Sequence, residues 1–396
     1  MKNVVIGSGI IGLSIAKTLR EKYPSSEILV LEKESDVGQH ASGRNSGVLH
    51  AGFYYSEDSL KARFCRDGNK QWHEFVENYN LPINRCGKLV VAQDEKDLEG
   101  IHTLFERGKK NNVEIYLIDE KEANELEPNV NTFRNALWSP NTSSISPRDC
   151  NSKLRENLES SGIDFHFDCC VIGHNDNSIY TTQGSFHADH IYNCAGLYAD
   201  KVAHLFGAGE KYTLLPFKGV YRKCIGTNPV NRHVYPVPNL SNPFLGVHFT
   251  QTVKGESKIG PTAIPAFWRE HYGGITGFNL RELAEVSLCE IDLLIRNSFG
   301  FRSLAFGEIL KYKASALERD AAKMLKHFSN KTKTMPAGIR AQLLNRSTRE
   351  LIMDFVVEKE SGVTHILNAI SPAWTCAFPF AEYVVSLNTE EDDIKN

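Results

Sequence analysis

The first chemically informative residues are three glycines close to the N-terminus. Gly7, Gly9 and Gly12 form a Gly-x-Gly-x-x-Gly pattern between a short apolar run and a segment with helical spacing. The first glycine permits a tight turn, the second lets the backbone approach a pyrophosphate, and the third allows close helix packing. A helix N-terminus containing Ile10 and Ile11 then offers unpaired N–H groups and a positive dipole end to the phosphates.

An acidic residue follows this turn at the distance expected for a nucleotide site. Glu32 stands 20 residues after Gly12, at the end of a second apolar run. There its carboxylate can accept hydrogen bonds from both ribose hydroxyls, and an acid argues against a 2′-phosphate and hence against NADP. Together with the glycines, Glu32 and the adjacent Lys33 predict a dinucleotide site.

A loop of small residues favours FAD over NAD as the dinucleotide. Residues 36–58 are too polar for a core element, and long loops inside compact domains are usually functional. The stretch 41–52 could lie along a pyrophosphate and ribityl chain without steric conflict, whereas an NAD enzyme has no obvious use for it. The cofactor contacts expected from this loop are Ser42, Arg44, Asn45, Ser46 and Gly47.

These blocks and two later ones resemble a known flavoprotein family. The glycine turn, Glu32, Arg44-Asn45-Ser46-Gly47, Asn193-Cys194-Ala195-Gly196 and Gly338-Ile339-Arg340 resemble the FAD-dependent D-amino-acid oxidase superfamily. Within it, the stretches 45–55, 243–250 and 368–373 are similar to the branch that oxidises L-2-hydroxyglutarate. The resemblance extends from residue 1 to about residue 386.

The resemblance implies an α/β protein with a two-dinucleotide-binding-fold FAD domain beside a second, α+β substrate domain on a mainly antiparallel sheet. The order of apolar runs predicts that the FAD domain is discontinuous. We expect residues 1–80, 147–210 and 335–390 in the FAD domain, and residues 81–146 and 211–334 in the substrate domain. Val171, Ala195 and Gly196 are expected to contact the cofactor from the central piece.

Local patterns place several elements. Ser59 and the apolar residues that follow it predict a capped amphipathic helix. Pro147, with Gly162 past the end of the segment, predicts a second helix. Stretches 89–92 and 113–118 are predicted as strands, and Asn175-Asp176-Asn177 is predicted as a hairpin turn.

Two histidines are candidates for the base that such an oxidation requires. Converting a 2-hydroxy acid to a 2-oxo acid removes a hydride, which flavin N5 can take, and the hydroxyl proton. A neutral histidine is the usual base near physiological pH. His50 ends the cofactor loop and could be the base, a neutral neighbour or a covalent flavin tether, a role that a histidine has in some superfamily members. His248 lies in an apolar strand and could be the base or a satisfied core histidine.

Arg340 is the leading anchor for the substrate carboxylate. A guanidinium binds a carboxylate through two charge-assisted hydrogen bonds, and the resemblance gives the arginine of the Gly-x-Arg block that task. A surface salt bridge is the alternative. A dicarboxylate needs a second cation or several hydroxyls, for which the candidates in falling order are Lys218, Tyr54, Tyr55 and Arg302.

Ser371 and Pro372 precede an apolar run with helical spacing. They predict a cap and a first-turn proline, with Ala373 next in the helix. Such a helix would direct its positive end at the flavin pyrimidine ring and stabilise the anionic reduced state. A plain terminal helix is the alternative, and the resemblance favours the flavin role. Trp374 is bulky for a position near a flavin.

Composition narrows the classes of partner. Lys plus Arg number 45 against 48 Asp plus Glu, so no charge excess favours nucleic acid or an anionic membrane. Nine cysteines without a Cys-x-x-Cys pair suggest neither a metal site nor a disulfide framework. The expected partners are a small 2-hydroxy acid and an electron acceptor, either oxygen or a quinone.

Location and function follow as expectations. No apolar run reaches membrane-spanning length, and residues 1–7 already indicate a strand rather than a targeting peptide. We expect a cytoplasmic protein, with peripheral docking at the inner face of the membrane left open. The preferred function is oxidation of L-2-hydroxyglutarate to 2-oxoglutarate. The alternatives are a relative that oxidises an amino acid or glycerol-3-phosphate, and a non-catalytic flavin-binding interaction protein.

Overall fold

The structure is a computed structural model that describes residues 1–175, 177–238, 245–328, 331–360 and 362–392. Asp176, at the centre of the predicted hairpin turn, and the first two residues of the stretch 243–250 lie outside the described residues.

The described chain contains both helices and strands. The helices are α1 (Ile10–Lys22), α2 (Leu60–Asn78), α3 (Glu95–Lys110), α4 (Glu120–Leu126), α5 (Pro147–Ser160), α6 (Ala199–Leu205), α7 (Leu280–Arg296), α8 (Phe301–Leu310), α9 (Ala314–Ala322) and α10 (Ala373–Asp392). The strands are β1 (Lys2–Ile6), β2 (Glu27–Leu31), β3 (Val48–Leu49), β4 (Ile83–Asn84), β5 (Lys88–Val91), β6 (Tyr116–Asp119), β7 (Asn135–Ser139), β8 (Ser143–Ile145), β9 (Asp164–His166), β10 (Val171–Asn175), β11 (Ser178–Thr181), β12 (Gly184–His187), β13 (His190–Asn193), β14 (Tyr212–Gly219), β15 (Arg222–Cys224), β16 (His233–Pro236), β17 (His248–Gln251), β18 (Ser257–Gly260), β19 (Ile264–Pro265), β20 (Thr332–Thr334), β21 (Gly338–Asn345), β22 (Glu350–Leu351), β23 (Val356–Glu360) and β24 (Val363–Asn368).

A six-stranded sheet of order β23-β24-β13-β1-β2-β9 contains the nucleotide-binding topology. The five strands from β24 to β9 are parallel, and β23 joins the edge in the antiparallel sense. Because α1 connects the neighbouring parallel strands β1 and β2, the predicted strand, turn, helix and strand unit is confirmed. A three-stranded antiparallel sheet, β10-β11-β12, lies between β9 and β13 in the chain.

The parallel strands are buried on both faces. Val5 packs into a large core with α1, α2, α5 and α10, whereas Val4 and Ile6 pack into a second core on the opposite face. Successive residues of a strand point to opposite faces, so an unbroken apolar run is what such a buried strand requires. Because β1, β2 and β13 are parallel, their carboxyl ends meet at one edge of the sheet.

An eight-stranded sheet of order β20-β15-β18-β17-β16-β5-β7-β6 forms the second large layer. Its neighbouring strands are antiparallel except for β5 and β16, which are parallel. The mainly antiparallel sheet that the sequence predicts is thus present, and the mixed α/β fold class is confirmed.

Two smaller sheets join segments that are far apart in the chain. β21 lies in the predicted FAD segment 335–390 but pairs along its whole length with β14 in a four-stranded sheet, β19-β14-β21-β22. β3 joins β4 and β8 in a small sheet of order β3-β8-β4. The division of the chain into two discontinuous domains stays a prediction.

One strand prediction needs correction. The stretch 113–118 is not a strand throughout, because β6 begins only at Tyr116. Asn112 has a positive φ of 54°, and the Val113 N–H donates to the Gly108 carbonyl at 2.9 Å. The first residues of the apolar run therefore complete the C-terminus of α3 rather than enter the sheet.

Candidate active site

A cavity of about 850 Å³ opens at the carboxyl ends of the parallel strands, where ligands bind in open α/β sheets. It extends to β21 and to the start of α10. The predicted site residues that line it are Gly7, Gly9, Ile10, Ile11, Glu32, Lys33, Ser42, Arg44, Asn45, Ser46, His50, Val171, Ala195, Gly196, Arg340, Ser371, Pro372 and Ala373. Most of the predicted cofactor contacts are therefore brought together.

The glycine turn is shaped by close backbone approaches. Gly7 has φ +101°, and a Cβ there would lie 2.6 Å from the Cys194 carbonyl oxygen. A Cβ on Gly12 would lie 1.9 Å from the Gly7 carbonyl oxygen, so this residue packs the helix rather than lining the cavity. A Cβ on Gly9 would meet only Ser42 Oγ, at 3.0 Å, so this glycine leaves its backbone open to a ligand.

Glu32 is held beside the turn by a residue that sequence reasoning missed. Its Oε2 atom accepts hydrogen bonds from the Ser8 backbone N–H at 2.7 Å and from Ser8 Oγ at 2.8 Å. Its Oε1 atom accepts from the Glu34 N–H at 2.9 Å. The side chain is 8% exposed and borders the cavity, so a buried acid is fixed at the end of β2.

The small-residue loop is ordered by its own polar side chains. Ser42 Oγ accepts from the Ile10 N–H at 2.9 Å, and the Ser42 carbonyl accepts from Asn45 Nδ2 at 2.9 Å. Asn45 Oδ1 accepts from the Gly47 N–H at 2.8 Å. Gly47 has φ +76° and a Cβ there would lie 2.5 Å from the Ile145 carbonyl oxygen. Gly47 thus shapes the loop and is not among the cavity-lining residues.

A charged cluster ties the loop to the segment between β19 and α7. The Lys33 ammonium donates to Glu34 and, at 2.7 Å, to Glu270 Oε1. His40 Nε2 lies 2.8 Å from Glu34 Oε1, and its Nδ1 lies 2.6 Å from the Tyr272 hydroxyl. Glu34, His40 and Glu270 could by type ligate a metal ion, but Lys33 already provides the positive charge that the two carboxylates share.

His50 lines the cavity where β3 ends. Its backbone N–H donates to Thr375 Oγ1 at 3.2 Å, and its carbonyl accepts from Asn69 Nδ2 at 3.1 Å, so the backbone is fixed. Its Nδ1 atom is buried and has no hydrogen-bond partner in the described chain. Burial, and then the charge of Lys88, hold the pKa of His50 well below its usual 6.5. The imidazole is therefore neutral.

His248 lies in the sheet behind the cavity and is not among its lining residues. Its Nδ1 atom lies 2.7 Å from the Gly246 carbonyl, and its ring stacks on Tyr235 at 3.7 Å. A carbonyl can only accept, so Nδ1 carries the proton and Nε2 the lone pair. Burial lowers the pKa of His248 to about 3, which keeps the ring neutral.

Arg340 lies on β21 with Phe217 of β14 as its cross-strand neighbour. Arg340 as a whole is half-buried, and it lines the same cavity as His50. Burial lowers the pKa of Arg340, and the charges of Tyr221 and Glu308 oppose that shift. A guanidinium so placed can meet an anionic ligand.

The predicted partners for a second carboxylate lie outside the lining. Tyr54 is buried against Phe53 with ring centroids 4.5 Å apart. Tyr55 is half-buried, and burial raises the pKa of its hydroxyl well above 10.0. Lys218 directs its ammonium toward the Tyr312 ring, 5.9 Å from its centroid. Arg302 is exposed on α8 and donates to the carbonyls of Leu294 and Ile295, each at 2.6 Å.

The start of α10 borders the cavity, with one change from expectation. The Cys376 N–H donates to the Pro372 carbonyl at 3.1 Å, so Pro372 rather than Ser371 occupies the N-cap and Ala373 is the first helical residue. Trp374 also lines the cavity, and its ring stacks on Trp72 at 4.1 Å. The helix N-terminus therefore faces the cavity, as the sequence predicts.

Several polar groups near the cavity were not predicted. Tyr221 lines it, and Lys258 lies behind it and donates to the Ser46 carbonyl at 2.9 Å. Lys88 is fully buried near His50 and His248, whose pKa values it lowers. Lys88 and Lys258 lie on strands far apart in the sequence, and Tyr221 lies between β14 and β15, so no local motif marks these residues.

The arrangement fits FAD. The N-terminus of α1 has no side-chain cap at Gly9 and faces the cavity, which suits a pyrophosphate. Glu32 supplies an acid for a ribose, and Ala195 and Gly196 leave room close to the backbone. The cavity volume is in the range of cofactor sites. The same cavity reaches His50 and Arg340, which could act on a substrate.

Comparison with known proteins agrees with this assignment. A family model described as FAD dependent oxidoreductase, named DAO, matches residues 2–387. The L-2-hydroxyglutarate dehydrogenase of Escherichia coli strain K12 is 32% identical over 97% of this chain and 92% of its own length. The mitochondrial L-2-hydroxyglutarate dehydrogenase of Mus musculus is 32% identical over 96% of this chain and 86% of its own.

Solved structures share the fold. The FAD-bound L-alpha-glycerophosphate oxidase of Mycoplasma pneumoniae superposes with a TM-score of 0.76 at 21% identity, covering 98% of this chain and 94% of that one. Glycine oxidase of Geobacillus kaustophilus gives a TM-score of 0.69 at 16% identity, covering 97% and 93%. With a family match over almost its whole length and a cavity that fits the cofactor, the chain belongs to the DAO family of FAD-dependent oxidoreductases.

Proposed function

We propose that the protein oxidises a small 2-hydroxy acid, and specifically L-2-hydroxyglutarate to 2-oxoglutarate. The observation that carries the proposal is a neutral, buried His50 and the Arg340 guanidinium lining one cavity with the nucleotide turn. The names of the relatives that are 32% identical over nearly the full length supply the particular acid. FAD, when bound, supplies the acceptor for the hydride.

Arg340 is the proposed anchor for the carboxylate next to the carbon that is oxidised. A planar guanidinium fixes a carboxylate in two places and so orients the α-carbon. The half-buried setting on β21 strengthens this contact because water screens it less. Binding at Arg340 therefore positions the substrate hydroxyl for proton removal.

His50 is the proposed base for the hydroxyl proton. A base must be unprotonated before it reacts, and the lowered pKa of His50 meets that requirement at neutral pH. A covalent tether to the cofactor is the rival role for the same ring. His248 is the second candidate, since it is neutral with a lone pair on Nε2.

The proposed electron acceptor is oxygen or a quinone. The proposed location is the cytoplasm, with peripheral docking to the inner face of a membrane. No helix in the described chain is both long and apolar enough to cross a bilayer. Leu288, Ile291 and Ile295 form an exposed apolar stripe along α7, with side chains 68%, 50% and 69% exposed. This stripe supports docking to a lipid surface. Flotation with zwitterionic phospholipid vesicles, lost in Leu288→Ser/Ile295→Ser, tests it.

Anaerobic addition of L-2-hydroxyglutarate tests the proposed function directly. The flavin absorbance should bleach, and 2-oxoglutarate should appear in equal amount, since each turnover moves two electrons to one FAD. D-2-hydroxyglutarate is the matched control for stereochemistry.

A further inference from the structure

A row of polar side chains crosses the middle of the eight-stranded sheet. Lys88 on β5 pairs with His233 on β16, and Thr250 on β17 pairs with Lys258 on β18. The register between β16 and β17 brings His233 beside Thr250. Residues that are cross-strand partners share a face, so all four side chains stand in one row on the same face of the sheet.

The opposite face of these strands is an ordinary apolar core. Leu89, Val234, Phe249 and Ile259 alternate with the polar residues and belong to one buried cluster. The polar face is buried as well, with Lys88 0% and Lys258 6% exposed. Two buried lysines on one sheet face are costly unless an anion accompanies them.

Lys88 has a buried ammonium without a hydrogen-bond partner in the described chain. Its Nζ atom lies 4.8, 4.5 and 4.8 Å from the ring centroids of Phe53, Tyr54 and Tyr235. These cation–π contacts offset part of the desolvation. Burial nevertheless lowers the pKa of Lys88 to about 7, so the ring cage alone does not replace an anionic partner.

Lys258 connects the row to the cavity wall. Its Nζ atom donates to the Ser46 carbonyl at 2.9 Å and lies 4.8 Å from the Tyr221 ring centroid, and both of these residues line the cavity. Burial lowers the pKa of Lys258 to about 8. Within the described chain, no carboxylate is among the groups that shift the pKa values of Lys88 and Lys258.

His248 lies on the same face of the sheet as this row, two residues before Thr250 on β17. Its pKa is lowered by the charges of Lys88, Lys258 and Arg340, after the larger effect of burial. A carboxylate group entering beside these cations would compensate the buried positive charge and give the Lys88 ammonium an acceptor.

We propose that Lys88, assisted by Lys258, binds the second carboxylate of a dicarboxylic substrate whose first carboxylate is held by Arg340. The inference rests on the proposed function and adds the residues that hold the second carboxylate of its substrate. Lys88 determines specificity and takes no part in the chemical step. Lys88 and Lys258 lie behind the cavity lining, as Lys218 does, and Lys88 is preferred because its buried ammonium has no hydrogen-bond partner in the described chain. Lys218 is directed toward Tyr312, and Arg302 donates to backbone carbonyls on the surface.

The test compares two acids of equal chain length in the FAD-loaded protein. In Lys88→Met, kcat/KM for L-2-hydroxyglutarate should fall on the order of a hundredfold, because one charge of a buried pair is lost. For L-2-hydroxypentanoate, which lacks the second carboxylate, it should change by less than about threefold. Lys258→Met should show the same selectivity to a smaller degree. Lys254→Met, at an exposed lysine between β17 and β18, should change neither value.

Binding provides a readout that is independent of turnover. Glutarate should bind the wild-type protein, as followed by flavin absorbance or calorimetry, and lose most of its affinity in both Lys88→Met and Lys258→Met. Pentanoate should bind the wild type and both variants alike. If folded, yellow variants lose affinity equally for the two acids, then the lysines have only a structural role and the inference is overturned. A wild-type protein that oxidises neither hydroxy acid would instead overturn the proposed function, and the inference with it.

Discussion

Ser42 Oγ accepts a hydrogen bond of 2.9 Å from the backbone N–H of Ile10, and so joins the small-residue loop to the N-terminus of α1. The loop and the turn form one surface of the cofactor cavity. Gly9 lies at their junction, because a Cβ there would come within 3.0 Å of Ser42 Oγ.

Gly9→Val should therefore abolish FAD retention. The added side chain displaces Ser42 and occupies the space through which a pyrophosphate approaches the backbone. The ratio of flavin to protein absorbance after purification measures the effect. Gly307→Val is the matched control, since a Cβ at Gly307 meets nothing within 4 Å. A Gly9→Val protein that stays yellow at full occupancy would show that the turn does not bind the cofactor.

His50→Ala should slow flavin reduction by a factor on the order of 10² to 10⁴, the usual contribution of a general base. Stopped-flow absorbance under anaerobic conditions measures the rate, and His102→Ala, at an exposed position on α3, is the control. Acid precipitation followed by mass measurement distinguishes a tether from free flavin. If both flavin content and rate are unaffected by His50→Ala, then neither role is correct, and the base is to be sought at His248.

Arg340→Ala should cost a few kcal/mol of transition-state binding, on the order of a hundredfold or more in kcat/KM, because a two-pronged charge-assisted contact is lost. Flavin binding should survive. Arg340→Lys should recover only part of the loss, since ammonium keeps the charge but not the planar fork. Arg319→Ala, at an exposed position on α9, should leave kinetics unchanged. Normal oxidation of L-2-hydroxyglutarate by Arg340→Ala would rule out the carboxylate role.

Lys88→Met should raise the melting temperature of the protein without substrate, and the gain should depend on pH. The pKa of Lys88 is about 7 in the folded protein and 10.5 in an unfolded chain, so the unfolded state binds more protons between these values. The resulting destabilisation is full below pH 7 and vanishes above 10.5. Met removes it, so the gain should be larger at pH 7 than at pH 10. A gain in melting temperature that is the same at both pH values, or larger at pH 10, would contradict a buried, protonatable Lys88.

Local signals in the sequence sufficed for much of the cofactor region. The glycine turn with Glu32 predicted a strand, turn and helix that are present, and Ser59 caps α2 through a 3.2 Å bond from the Ala62 N–H, as predicted. Such patterns depend on neighbours within a few residues or on one βαβ unit. The strand prediction for 113–118 was wrong at its first residues, because an apolar run next to a helix can complete the helix terminus instead of forming a strand.

The buried row of polar side chains on the eight-stranded sheet could not be predicted from local patterns. Lys88, His233 and Lys258 come together only through the register of strands that are far apart in the chain. A lysine at the start of an apolar strand looks like a solvent-facing residue until the sheet places it in the interior. For the same reason, Lys218 was a candidate for the second carboxylate although its ammonium is directed toward Tyr312.

The proposed function is that this FAD-dependent oxidoreductase takes its electrons from L-2-hydroxyglutarate. Its most direct test is anaerobic titration of the purified yellow protein with L-2-hydroxyglutarate, L-lactate, L-glutamate and glycerol-3-phosphate, followed through the absorbance of oxidised flavin. The proposed function requires complete bleaching by L-2-hydroxyglutarate with one equivalent of 2-oxoglutarate formed, and slow or no bleaching by the other three. Bleaching by glutamate or glycerol-3-phosphate but not by L-2-hydroxyglutarate, or by none of the four, would contradict it.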